Sequence, residues 1–155
     1  MKVHLVDGTY ELFRQNFGRA AREPDAGPYA ATAGVLNSTL QLIADGATHI
    51  AVASDHVIES FRNDLWAGYK TSAGMPPELL EQIPMIEDAL VAMGVTTWAM
   101  VSHEADDALG AAAAPSASSA SWLTMAQVVT PIATSASSII GICASSSGGI
   151  PALVL

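Results

Sequence analysis

The sequence predicts an α/β domain in which helices cover both faces of a parallel sheet. Short apolar runs, typical of buried strands, alternate with longer segments whose apolar residues recur at helical spacing. The order strand–helix occurs three times, which favours parallel strands joined by helical crossovers. Each strand-like run is followed within a few residues by acidic side chains, so we expect polar chemistry at the carboxyl ends of the strands.

The first half of the chain contains two predicted strands and one predicted helix. The first strand is predicted from Val3 to Val6, and the second from His49 to Ser54. Between them, residues 29–44 are predicted to form a helix that ends near Gly46. Its apolar face consists of Leu36, Leu40 and Ile43.

The next segment predicts a second helix, a third strand and a third helix. Pro76-Pro77 begins the second helix, which ends before Gly94, and Pro84 is expected to kink or break it. The apolar face of this helix consists of Leu79, Ile83, Ile86, Leu90 and Met93. The third strand is predicted from Val95 to Val101. Ser102 is then the expected N-cap of a helix from Glu104 to Ala114.

Length and composition fit one domain with its own core. The chain has 155 residues, of which 50% are hydrophobic, and its net charge of −9 argues against a generic polyanion binder. Cys143 is the single cysteine, which excludes an internal disulfide and fits a reducing compartment. Because no signal peptide and no run of about 20 apolar residues is evident, we expect a cytoplasmic protein.

Charge is distributed very unevenly along the chain. All 6 basic and all 15 acidic residues lie in residues 1–107, and an Ala/Ser-rich tail follows. We therefore divide the chain into a core part, residues 1–114, and a charge-free part, residues 115–155. The second part has three explanations, which the sequence leaves open: a disordered low-complexity segment, a frameshifted reading, or residues standing in for unidentified side chains.

Acidic residues at the strand ends are the candidate metal ligands: Asp7, Asp55, Glu104, Asp106 and Asp107. Taken singly, each has an ordinary explanation, because aspartate is a common turn residue and acids in a first helical turn gain about 0.3–1 kcal/mol each. Five carboxylates at one edge of a sheet would repel one another without a cation. Their joint placement therefore favours bound Mg²⁺ or Mn²⁺, which prefer oxygen ligands.

Basic and aromatic residues near these acids are candidates for contacts with a phosphate or a base. Arg14, Arg62 and Lys70 are the basic residues best placed to meet a phosphate, whereas Arg19 and Arg22 are interpreted as solvated surface charges. Tyr69, like the other aromatic residues nearby, is able either to stack on a base or to pack against its neighbours.

Several segments together resemble the 5′→3′ exonuclease domain of bacterial DNA polymerase I and its stand-alone flap-endonuclease relatives. The resemblance rests on Leu5-Val6-Asp7-Gly8-Thr9-Tyr10-Glu11-Leu12-Phe13-Arg14, Gly34-Val35-Leu36-Asn37, Phe61-Arg62-Asn63-Asp64-Leu65-Trp66, Tyr69-Lys70, Met75-Pro76 and Glu104-Ala105-Asp106-Asp107-Ala108-Leu109-Gly110. It implies a Rossmann-like (PIN-like) nuclease core that uses two divalent ions to hydrolyse DNA at 5′ ends or flaps.

The resemblance also implies a role for each candidate residue. Arg14 and Lys70 become catalytic contacts to the scissile phosphate, and Arg62 and Tyr69 join them in binding DNA. The metal ligands are then the same five acids: Asp7, Asp55, Glu104, Asp106 and Asp107.

The tail departs from the family pattern. Met125-Ala126-Gln127 resembles the far side of a motif with two aspartates, and those two positions hold Trp122 and Thr124 here. We therefore expect one ion rather than two, and a poor nuclease. The resemblance also implies a later helix–turn–helix element that binds duplex DNA, and we expect it to be absent from residues 115–155.

Two other functions stay open. One is a degenerate, non-catalytic DNA-binding relative, and the other is a Mg²⁺-dependent phosphohydrolase. The usual Asp-x-Asp motif of such hydrolases does not occur at Asp7, which Gly8-Thr9 follow. In the tail, Val128-Val129 and Ile139-Ile140 are the best candidates for buried strand positions, and we expect them to fill the family's fourth and fifth strands.

Overall fold

The core of the protein is a three-stranded parallel sheet in the order β1-β2-β3. The computed structural model describes residues 1–20, 22–23, 26–114, 129 and 131–132. Strand β1 spans Val3–Asp7, β2 spans His49–Asp55 and β3 spans Thr96–Met100. The three predicted strands are confirmed, with ends that differ from the predicted ones by at most one residue.

Six helices occur in the described part of the chain. They are α1 (Gly8–Ala20), α2 (Ala30–Ala44), α3 (Arg62–Leu65), α4 (Pro77–Leu80), α5 (Gln82–Ala92) and α6 (Ala105–Ala113). Helix α2 confirms the first predicted helix, and α6 confirms the third. Helices α1 and α3 were not predicted. The start of α1 is stabilised by Asp7, whose Oδ1 accepts a hydrogen bond from the Tyr10 N–H at 2.8 Å.

The second predicted helix is interrupted, as its proline suggested. Helix α4 ends at Leu80 and α5 begins at Gln82, so the break lies before Pro84 rather than at it. Pro84 is the third residue of α5, where a backbone N–H has no acceptor within the helix, so the missing donor costs nothing there.

The predicted N-cap of α6 was wrong. Glu104, not Ser102, is the N-cap, and it forms a capping box with Asp107. The Glu104 side chain accepts from the backbone of Asp107, and the Asp107 carboxylate accepts from the Glu104 N–H at 3.0 Å. This reciprocal pair satisfies two backbone donors at the start of the helix, which a single serine does not.

The two faces of β2 meet different helices, so the sheet is covered on both sides. Ile50 and Val52 belong to the main hydrophobic core, together with side chains from α1, α2, α4 and α5. Ala51 and Ala53 alternate with them and are fully buried on the other face, where α6 packs. Their small size allows α6 to lie close to the sheet. Helices therefore cover both faces of the parallel sheet, as the predicted α/β fold requires.

Gly8 brings the beginning of α1 against the carboxyl end of β2. A Cβ added at Gly8 would lie 2.8 Å from Val52 Cγ1 and 3.2 Å from the Ala53 carbonyl oxygen. Only glycine fits this approach without displacing its neighbours. The contact holds Asp7 beside the end of β2, next to Asp55.

The described residues of the tail meet the opposite end of β2. Val129 is buried but lies in a bend, and Pro131 forms an isolated antiparallel bridge with His49. The Ile132 N–H donates to the Thr48 carbonyl oxygen at 3.2 Å. The predictions for Val128, Ile139-Ile140, Trp122 and Thr124 fall outside the described residues. None of the described helices is long and apolar enough to span a membrane.

Candidate metal and phosphate site

The carboxyl ends of the strands and the amino ends of α1 and α6 form one polar edge. Asp7 is the last residue of β1 and Asp55 is the last residue of β2. Glu104, the N-cap of α6, follows soon after β3, so the three chain segments place their acids at the same edge. This is where an open parallel sheet offers room for a ligand.

Asp55 is held by contacts from three parts of the chain. Its side chain is buried, and its Oδ1 accepts a hydrogen bond from the Ala105 N–H at 2.9 Å. Its Oδ2 accepts from Lys70 Nζ at 2.7 Å. The Asp55 N–H in turn donates to Thr9 Oγ1 at 2.7 Å. The position of this carboxylate is therefore fixed by α1, α6 and the loop that carries Lys70.

Asp7 and Asp106 add negative charge beside Asp55. Burial raises the pKa of the Asp7 carboxyl, the Tyr10 N–H opposes that rise, and the charges of Asp55 and Asp106 add to it. Asp106 is exposed and makes no hydrogen bond or ion pair within the described part of the chain. The three aspartates are therefore near enough for their charges to interact, and Lys70 offsets part of this repulsion through its ion pair with Asp55.

Glu104 and Asp107 share the guanidinium of Arg62. The guanidinium donates from Nη2 to Asp107 Oδ1 at 2.6 Å and from Nη1 to Asp107 Oδ2 at 2.8 Å. Arg62 Nη1 also lies 3.1 Å from Glu104 Oε1, which accepts from Ser60 Oγ at 2.7 Å. The hydrogen bonds from Arg62 hold the pKa of Asp107 far below its usual value.

The pKa of Glu104 is lowered although its side chain is buried. Burial opposes its charge, but the Ser60 hydroxyl and the charges of Lys70 and Arg62 outweigh that effect and lower the pKa of Glu104. Its Oε2 lies 3.4 Å from the Tyr69 hydroxyl and 3.8 Å from Lys70 Nζ. The charge of Glu104 is therefore largely compensated by protein side chains.

Lys70 lies between the two groups of acids. Burial opposes its charge, but the hydrogen bond to Asp55 and the charges of Asp55 and Glu104 raise its pKa. Its carbonyl oxygen accepts from Asn63 Nδ2 at 2.6 Å, which anchors the loop at this point. Lys70 thus serves as the cation of the site in this structure.

Arg14 is not brought to the acid cluster. Its guanidinium pairs with Glu11 on the same helix, at 2.8 Å from Nε and 2.6 Å from Nη2. Glu11 is buried and also accepts hydrogen bonds from Gln15 and Ser38, at 2.8 and 2.9 Å. The structure therefore joins Arg14 to a network between α1 and α2, and its expected contact with a phosphate stays a prediction.

The carboxylate oxygens at this edge are suitable ligands for a hard divalent cation. In this structure, however, they are not positioned together as a coordination site. Asp7, Asp55 and Asp106 supply carboxylate oxygens, the ligands preferred by Mg²⁺ and Mn²⁺. Within residues 1–114 and the few described tail positions, no three His, Cys, Asp or Glu side chains form a group ready to hold a metal. In this structure Lys70 and Arg62 are the cations that engage Asp55, Glu104 and Asp107.

Sequence reasoning missed several residues that shape this edge, among them Thr9, Ser60 and Asn63. It also missed a polar group behind Asp55 that consists of Ser54, His56 and Glu87. Of these residues, only Glu87 could have been recognised from the sequence. Glu87 is an acidic residue on the buried face of α5, among Ile83, Ile86 and Leu90.

Comparison with known proteins gives consistent matches. Residues 2–131 match the family described as 5′-3′ exonuclease, N-terminal resolvase-like domain. A 5′-3′ exonuclease of Bacillus subtilis (strain 168) is 31% identical over 116 residues, covering 70% of this chain and 39% of that protein.

Two DNA polymerases are similarly related. DNA polymerase I of Rhizobium leguminosarum is 32% identical over 116 residues, covering 68% of this chain and 11% of the polymerase. DNA polymerase I of Geobacillus stearothermophilus is 32% identical over 118 residues, covering 73% of this chain and 13% of the polymerase. The chain therefore spans well under half the length of each of these three relatives.

Proposed function

We propose that this chain, which belongs to the 5′-3′ exonuclease family through its N-terminal resolvase-like domain, is a nuclease core that hydrolyses DNA at 5′ ends or flaps with the help of a divalent cation. The observation that supports this most directly is the cluster of Asp7, Asp55 and Asp106. These acids lie at the same edge of the sheet, and burial, together with the charges of Asp55 and Asp106, raises the pKa of Asp7.

Asp7, Asp55 and Asp106 would hold the cation, Mg²⁺ or Mn²⁺. When bound, such an ion lowers the pKa of a coordinated water and offsets charge on a phosphate oxygen. The three aspartates supply the negative charge that retains it. Thr9 and Ala105 hold Asp55 in place through its backbone N–H and its Oδ1, so the carboxylate needs little reorganisation.

Lys70 and Arg62 would exchange carboxylate partners for phosphate oxygens. In this structure both cations are paired with acids of the site, at distances of 2.6–2.8 Å. A DNA phosphate offers the same kind of oxygen acceptor, so each cation is able to turn from carboxylate to phosphate without being left unpaired. In this proposal Lys70 then stabilises charge that develops at the scissile phosphate, and Glu104 and Asp107 become available as further ligands.

Tyr69 and Arg14 complete the proposed DNA contacts. The Tyr69 ring packs edge-on against Trp66, with centroids 6.4 Å apart, and both side chains are exposed enough for a base to stack on them. Arg14 keeps part of its guanidinium free beyond Glu11, since its side chain is 54% exposed. We assign it to a phosphate along the DNA strand.

The number of ions bears on how active the chain is. Trp122 and Thr124 occupy the positions where the resemblance to the family implies two aspartates, so we propose a single bound ion and weak cleavage. A non-catalytic DNA-binding relative is the second candidate. It is favoured by the extent to which Lys70 and Arg62 already neutralise Asp55, Glu104 and Asp107.

The test is cleavage of a DNA duplex with a labelled 5′ flap, with Mg²⁺, with Mn²⁺ and with a chelator. We expect metal-dependent release of short 5′ products, and loss of that release in Asp55→Asn and Asp106→Asn. Asp45→Asn is the matched control, because Asp45 follows α2 at the opposite edge of the sheet. Metal-dependent DNA binding without cleavage would favour the non-catalytic candidate. Equal cleavage by Asp55→Asn and the wild type would refute the proposed site.

A further inference from the structure

Glu87 is a buried acid that the proposed mechanism does not use. It lies on α5, on the face that otherwise carries Ile83, Ile86 and Leu90, and it is 8% exposed. A carboxylate in such surroundings is costly unless its oxygens are hydrogen-bonded. Both are: Ser54 Oγ donates to Oε1, and His56 Nδ1 lies 2.7 Å from Oε2.

The two partners of Glu87 flank Asp55 in the sequence. Side chains alternate along a strand, so Ser54 points to the α5 face while Asp55 points to the other face. On that other face Asp55 meets Lys70 and the start of α6. The Glu87 carboxylate on α5 therefore contacts both sequence neighbours of Asp55, on the face of the sheet opposite to the Asp55 side chain.

The end of β2 needs such support. Pairing of β1 with β2 ends at Ala53, whereas pairing of β3 with β2 continues to Asp55. Over its last two residues β2 therefore has a paired strand on one side only within the described structure. Glu87 is placed to restrain the strand there, since it ties Ser54 and His56 to a helix that is anchored in the core.

A nucleophilic role for this group does not fit the geometry. Ser54 and His56 each contact Glu87, and the described structure contains no hydrogen bond between the Ser54 and His56 side chains. A serine nucleophile needs a base that accepts its proton, and a carboxylate shared with histidine is not the usual arrangement. Ser54 is also buried, which keeps a substrate away from it.

We propose that Glu87 is a positioning residue for Asp55: through Ser54 and His56 it fixes the end of β2 so that the Asp55 carboxylate is held where a divalent cation binds. This inference rests on the proposed function. Residues outside the ligand shell that orient ligands typically change metal affinity or activity by about 10–100-fold when they are replaced. Because Glu87 acts through the neighbours of Asp55, we expect an effect at the low end, about tenfold.

The experiment compares Mn²⁺ affinity, measured by the electron paramagnetic resonance signal of free Mn²⁺, with kcat and KM for flap cleavage. Glu87→Leu removes both acceptors and retains an apolar side chain of similar size. Glu87→Gln retains an oxygen for Ser54 and an N–H group for an unprotonated His56 Nδ1. Asp88→Asn, an exposed change on the same helix, is the matched control. All assays are run well below the unfolding temperature of each variant.

We expect Glu87→Leu to weaken Mn²⁺ binding about tenfold and to lower kcat with KM for DNA little changed. Glu87→Gln should retain most of the Mn²⁺ affinity and most of kcat, and Asp88→Asn should behave as the wild type. If Glu87→Leu does not fold, Ser54→Ala provides the test, with a smaller loss of Mn²⁺ affinity. Wild-type Mn²⁺ affinity in Glu87→Leu or in a folded Ser54→Ala would overturn the proposal, as would equal impairment of Glu87→Gln and Glu87→Leu.

Failure of the proposed function gives a different result. In that case the wild type itself neither binds Mn²⁺ at the aspartates nor cleaves DNA, and Asp55→Asn changes nothing. Wild-type Mn²⁺ binding that Asp55→Asn abolishes and Glu87→Leu leaves intact would instead reject the role of Glu87 alone.

Discussion

Replacing Lys70 with methionine should strengthen metal binding and weaken cleavage at the same time. Lys70 Nζ lies 2.7 Å from Asp55 Oδ2 and 3.8 Å from Glu104 Oε2, so the ammonium occupies the place of a cation beside these acids. A divalent ion bound at Asp55, as proposed, would have to displace this ammonium. Methionine has a similar length and no charge, so the variant removes this competitor and preserves most of the packing.

The size of the effect follows from the contact that is broken. A hydrogen bond to a charged group contributes about 1.5–3 kcal/mol net, and the Lys70 side chain is 27% exposed, so the lower half of that range applies. Since about 1.4 kcal/mol corresponds to a factor of ten, Mn²⁺ should bind roughly tenfold more tightly to Lys70→Met. Cleavage should fall by about 10²–10³-fold, because a cation that stabilises the transition state is lost.

The assay is a titration of Mn²⁺ by isothermal calorimetry, in parallel with single-turnover flap cleavage at saturating metal. Lys2→Met is the control, because the Lys2 ammonium contacts the Asp45 carbonyl oxygen near the opposite edge of the sheet. Unchanged or weaker Mn²⁺ binding in Lys70→Met would show that Lys70 does not compete with the metal. Unchanged cleavage would remove Lys70 from the catalytic site.

Two further predictions concern stability. Hydrogen bonds from Arg14, Gln15 and Ser38 overcome the effect of burial and lower the pKa of Glu11 from its ordinary value of 4.5. A depressed carboxyl pKa stabilises the fold above the ordinary pKa, and this contribution is lost as pH falls through the folded-state pKa. Urea unfolding should therefore show Glu11→Gln less stable than the wild type by about 1–2 kcal/mol at pH 7, with the difference shrinking below pH ~4; a difference that is constant with pH would contradict this. Gly8→Ala should cost about 1–3 kcal/mol because its Cβ would meet β2, and wild-type stability would show that α1 shifts freely.

The sheet was predictable from sequence because its strands are short apolar runs with clear ends. Helix α1 was missed because Gly8 and Thr9 directly after Asp7 are typical of a turn, whereas here Asp7 caps a helix. Ser102 was wrongly chosen as a cap because serine is a common N-cap. The capping box formed by Glu104 and Asp107 is recognisable in the sequence only when the first residue of the helix is already known.

The acids of the candidate site were predictable as a set, but their division into two groups was not. Their position after strands identifies the edge of the sheet, and the order of the strands brings them there. Which carboxylate pairs with a cation depends on contacts between distant segments. Arg62 and Asp107 are 45 residues apart, and Lys70 and Asp55 are 15 apart, so no local spacing encodes either pair.

The same pairing bears on how an acidic protein approaches DNA. The edge carries five carboxylates and two basic side chains, so it stays negative even with Lys70 and Arg62 in place. We therefore expect this edge to repel a phosphate unless a divalent cation is bound there. In the proposed mechanism, an ion held by Asp7, Asp55 and Asp106 would replace Lys70 as the partner of Asp55, and Lys70 would then be free to meet a phosphate oxygen. Metal binding and DNA binding would then be coupled through one lysine, and we expect each to raise the affinity for the other.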